Sequence, residues 1–106
     1  MITDESIEKA LDYLRDNAKL IGQLRGNKIQ LEHLMKVTKA QKFLSCDGTV
    51  AERDAIANAD PAYVQLIEDL KDCVTELETI LALAKAAEMR IEVWRTQNAN
   101  LRTGNI

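Results

Sequence analysis

Apolar residues recur along the first part of the chain with alternating gaps of three and four: Ile7, Ala10, Leu14, then Ile21, Leu24, then Leu31 and Met35. Asn17 and Lys28 fill the two missing steps. This is the period of a helix with one buried stripe. Thr3 followed by Asp4 and Glu5 suits a helix N-terminus, and no proline interrupts residues 4–45. The pattern predicts one helix over 4–45, roughly 60 Å long. A second series begins after Pro61: Leu66, Leu70, Cys73, Leu77, Ile80, Ala84, Ala87, Ile91, Trp94, Asn98 and Leu101. Its steps of four and three make a heptad seam in which only Asn98 is polar. It predicts a second long helix over 61–102, which Gly104 would close.

Between the two, Asp47-Gly48 is turn chemistry. Thr49-Val50-Ala51-Glu52 matches a capping box, with Thr49 and Glu52 satisfying each other's exposed backbone donors, so a short helix over 50–58 is expected. In Asp60-Pro61, Asp60 can cap and Pro61 fits a first helical position. Two long helices joined by a short one should fold back antiparallel into a single helical-hairpin domain. Charge supports that layout. Residues 4–16 carry a net −3 and residues 19–42 a net +5, while residues 61–81 carry −4 and residues 85–102 carry +2. Laid antiparallel, opposite signs meet at both ends. Trp94 should then meet Ile7 and Leu11 as a core anchor. Tyr63, Ile67, Val74 and Leu81 widen the seam of the last helix.

The stretch Ala18-Lys19-Leu20-Ile21-Gly22-Gln23-Leu24-Arg25-Gly26 places two glycines inside the first helix, where each costs about 1 kcal/mol relative to alanine. With Ile21 and Leu24 on the seam, Gly22 and Gly26 point away from it. They open a second stripe of Gly22, Gly26, Ile29, His33, Val37, Ala40 and Leu44. Either this outer stripe is an assembly surface for another copy, or the glycines bend the helix and the core stripe changes face there. Assembly is the preferred reading, because an isolated helical hairpin of this length buries little apolar area.

Composition sharpens the class. The 106 residues are 46% hydrophobic and 29% charged, with 4% aromatics, one proline and four glycines. That profile belongs to long helices and coiled coils. The net charge of −3 leans against a nucleic-acid module. No leader-like opening and no apolar run of membrane length stand in the sequence, so a cytoplasmic protein without a membrane partner is expected. Cys46 and Cys73 are too few and too far apart for a disulfide framework.

Candidate chemistry is sparse. His33 is the only histidine, and its spacing from Cys46 and Cys73 gives no metal motif. The chain carries no phosphate-cradling glycine loop, nucleophile elbow or HExxH, so no catalytic residue, cofactor or metal ligand is assigned. Arg25, Lys28, Lys36, Lys39 and Lys42 make a basic strip broken by Glu32. It could contact a phosphate backbone. Pairing with Glu68, Asp69, Asp72 and Glu76 across the hairpin is preferred, since no aromatic residues interleave the strip to stack bases. Arg90, Arg95, Gln97 and Arg102 surround Trp94 and form a candidate partner-binding end.

Two stretches, AERDAIANADPAYVQLIEDL (residues 51–70) and RIEVWRTQNANLR (residues 90–102), together resemble a family of small, wholly helical proteins encoded among early genes of tailed phages. The resemblance lies mainly in the second half of the chain and brings no catalytic residues. It implies a phage or prophage origin and an accessory role in DNA recombination or replication. The expectation is an all-α antiparallel hairpin, homo-oligomeric, acting as a non-enzymatic adaptor in the host cytoplasm, with nucleic-acid binding as the alternative.

Overall fold

The computed structural model describes residues 1–104, and among these it is all helical: α1 (Asp4–Ser45), α2 (Val50–Asn58) and α3 (Pro61–Thr103). The long helices α1 and α3 lie antiparallel as a hairpin, with α2 in the connection. No helix among the described residues is long and apolar enough to cross a membrane.

Each boundary has a local cause. The Thr3 hydroxyl accepts from the Ser6 amide at 3.1 Å, capping α1, and Asp4 and Glu5 supply negative charge to its first turn. Gly48 sits at φ +122°, in a region that L side chains rarely adopt, and a Cβ there would lie 2.8 Å from Glu52 Oε2. The Thr49 side chain accepts from the Glu52 amide at 3.2 Å. The expected reciprocal half of the box is replaced, because the Glu52 carboxylate accepts from the Thr49 hydroxyl instead. Pro61 opens α3, and Asp60 contributes its carbonyl, which accepts from the Val64 amide. Gly104, at φ +74°, closes α3 one residue beyond the expected end.

Packing divides the described chain into two compact units, residues 1–22 with residues 78–104, and residues 23–77. In the first, Ile7 and Ala10 of α1 and Ile80, Ala84 and Ala87 of α3 are buried. Three alanines among five core positions bring the helix backbones close but remove little apolar area from water. Polar contacts fix the register there. Gln97 Oε1 accepts from the Ile2 amide at 3.3 Å, and Arg90 donates to Ser6 Oγ at 3.2 Å. Trp94 Nε1 donates to Asp4 Oδ1 at 3.2 Å. Trp94 is therefore half-buried and tied to the first turn of α1, whereas Leu11, its expected cover, is 51% exposed.

In the second unit the core is Leu24, Ala57, Cys73 and Leu77. The Cys73 thiol donates to the Leu24 carbonyl at 3.3 Å, an inert buried cysteine. The core stripe does not change face at the glycines. Ile21, Leu24, Lys28, Leu31 and Met35 are all buried or half-buried on one line, and α1 runs unbroken through Gly22 and Gly26. Among the described residues no large side chain is fully enclosed.

Candidate functional site

The outer face of α1 is the place to look, because the seam already occupies the inner one. Gly22 and Gly26 are exposed, and a Cβ added at either would meet nothing within 4 Å. Ile29 is 68% exposed and Leu44 is 74% exposed. His33 and Ala40 are exposed as well, and Val37 is half-buried. Every position of the expected stripe thus lies on the helix surface opposite the seam, and only Val37 is partly screened.

The expected basic strip is not assembled as a unit. Lys28 and Lys42 fall on the seam line and are half-buried, while Arg25 and Lys36 are exposed. Lys39 is engaged twice, 3.7 Å from Asp54 of α2 and 6.0 Å from the centroid of the Tyr63 ring. Pairing across the hairpin with Glu68, Asp69, Asp72 and Glu76 does not occur among the described residues. Glu68 pairs with Lys71 on its own helix, as Lys9 does with Glu5, Arg15 with Asp12 and Arg95 with Glu92. Neighbours three or four residues apart on one helix are closer than facing charges outside a packed seam, and exposed pairs gain little from longer reach. Hydrogen bonding to Asp16, with Asp12 beside it, raises the exposed Arg15 guanidinium above its ordinary value.

The residues around Trp94 act differently from the expected partner-binding end. Arg90 and Gln97 hold the start of α1, and Arg95 is paired with Glu92. Arg102 stays exposed on an open groove shared with Leu101 and Asn98.

Two features have no counterpart in the sequence pattern described above. The first is a clamp between α2 and the end of α1. Arg53 Nε donates to the Phe43 carbonyl at 3.0 Å, and its guanidinium lies 4.2 Å from the Phe43 ring centroid. The Cys46 thiol lies 3.5 Å from the same carbonyl. The last four carbonyls of a helix lack intrahelical partners, and Arg53 supplies one. The second is on α3, where Ala82, Ala86, Met89 and Val93 are exposed at helical steps of four, three and four. Its helical spacing is present in the sequence, on a face outside the seam.

Among the described residues no group of three or more histidines, cysteines or carboxylates could hold a metal ion. No protein family, curated protein or solved structure matches the chain.

Proposed function

We propose that this chain is a helical interaction protein that works as a homo-oligomer and uses the outer face of α1 as its assembly surface. One observation carries the reading. Ile29 and Leu44 are large apolar side chains left mostly in water, on the same face as two glycines where an added Cβ would meet nothing within 4 Å beyond the helix's own backbone. Helix faces of this kind are covered by partners in stable assemblies.

The resemblance of residues 51–70 and 90–102 to early phage proteins supports an accessory role in DNA recombination or replication inside the host cell. In that role the protein bridges or organises other components and performs no reaction of its own. Phosphate-backbone binding through Arg25, Lys28, Lys36, Lys39 and Lys42 is the weaker alternative. The engagement of Lys39 and the half-burial of Lys28 and Lys42 weigh against it.

Sedimentation velocity of the full chain tests the assembly. A concentration-dependent shift to dimer or larger species at high micromolar protein is expected, and a purely monomeric profile there defeats the proposal. A salt-dependent mobility shift of labelled DNA at micromolar protein would instead favour the alternative.

A further inference from the structure

The unit that holds both chain ends, residues 1–22 with 78–104, is closed by weak contacts. Ala10, Ala84 and Ala87 supply three of its five buried positions, and a buried methyl removes little apolar area from water. Hydrogen bonds that cross between its helices lie at or near the surface. Trp94 Nε1 donates to Asp4 Oδ1 at 3.2 Å, and Arg90 donates to Ser6 Oγ at 3.2 Å, both exposed. The Ile2 amide donates to Gln97 Oε1 at 3.3 Å and is partly buried. All three distances fall at the long end of the hydrogen-bond range. Among the described residues, every ion pair of this unit stays within one helix.

Residues 23–77 are tied differently. Leu24 and Leu77 are buried there, and the Cys73 thiol donates to the Leu24 carbonyl inside the core. The turn and α2 join the two long helices through the chain itself, with Arg53 bonded to the Phe43 carbonyl.

Connectivity makes the contrast one-sided. Parting residues 1–22 from 78–104 frees two chain ends. Parting the helices of residues 23–77 while those ends stay closed would leave a closed loop, which withholds part of the entropy that opening gains. Gly22, exposed and a poor helix residue, stands where the freed part of α1 would end. Helices of this kind owe most of their stability to packing. Opening therefore leaves their backbone amides unprotected.

We propose that residues 1–22 and 78–104 form a latch, which opens as one piece while residues 23–77 stay paired. Opening bares Ile7, Ile80 and the Trp94 indole. The latch is independent of the self-assembly proposed above.

Trp94 is the only tryptophan of the chain, so its emission reports this end alone. In low-micromolar protein titrated with urea, that emission should shift to the red first. Amide protection within 23–77, read by hydrogen exchange with mass spectrometry, should be lost only at higher urea. Asp4→Ala combined with Gln97→Ala removes two of the three crossing bonds at helical positions where alanine is well suited. Exchange in 1–22 and 78–104 should then become roughly tenfold faster, with exchange in 23–77 unchanged. Coincident midpoints for Trp94 and for protection in 23–77 overturn the proposal, because the hairpin then opens as one body. It also falls if the double variant loses protection equally in both units, or in neither.

Discussion

Replacing Gly22 and Gly26 with alanine measures what the two glycines cost the isolated chain. Both lie well inside the continuous helix α1, and the added methyl at either position meets no atom within 4 Å. No steric term therefore opposes the change. What remains is the loss of backbone freedom in the unfolded chain and better helix propensity, about 0.8–1 kcal/mol at each site. The double variant should be more stable by about 2 kcal/mol. For a domain of about this size, 1 kcal/mol shifts Tm by roughly 4–8 °C, and the lower end of that range suits 106 residues. A rise of roughly 8–12 °C is expected, read by far-ultraviolet circular dichroism on low-micromolar protein. An unchanged or lower Tm in dilute solution would refute the reasoning, because it would mean that the glycines are held by something in the chain itself. Concentration adds a second reading. On the proposal that the outer face of α1 is the assembly surface, methyls at Gly22 and Gly26 would crowd the partner, so the gain should shrink as protein concentration rises. An identical gain at every concentration places the glycines outside the interface.

Leu77 is 3% exposed at the centre of the α3 seam. Leu77→Ala should cost about 2–4 kcal/mol in urea unfolding, in the lower part of the range for buried leucines because a two-helix seam can relax into the gap. Arg53→Ala removes both the stacking on Phe43 and the bond to its carbonyl. It should cost about 1–2 kcal/mol, with faster hydrogen exchange confined to α2 and the last turn of α1. Uniform loss of protection along the chain would show that the clamp is not local.

The elements are legible because their signals are short in range. Thr3, Asp47-Gly48, Thr49, Pro61 and Gly104 each mark a boundary by their own backbone chemistry, and the three helices start and stop within one residue of the expected bounds. The α3 seam from Cys73 to Ala87 is buried as its period requires. Side-chain partners are less legible. The expected pairing of Lys36, Lys39 and Lys42 with carboxylates across the hairpin rests on net charge per segment, which carries no information about reach. The lysines that lie on the seam line are half-buried instead, and Lys39 turns to Asp54 and Tyr63. The heptad period puts Trp94 at the correct end of the seam, but its indole N–H needs an acceptor, and the Asp4 carboxylate that supplies it is not encoded in that period. The Arg53 clamp depends on how a four-residue connection returns α2 beside α1, which no periodic pattern encodes.

The clamp also bears on the order in which the chain folds. Phe43 and Arg53 are ten residues apart, whereas Ile2 and Gln97 are separated by 95. Loop closure grows costlier with length, and local contacts form first. The turn of the hairpin, with Arg53 already holding the end of α1, is thus the natural nucleus, and pairing of α1 with α3 should spread outward from it. Leu77 lies in the unit that contains the turn. In stopped-flow chevrons its alanine variant should therefore slow folding as well as speed unfolding, and an effect on the unfolding arm alone would place the nucleus elsewhere. A feature that looks like a brace on a helix end is, in time, the first thread drawn tight.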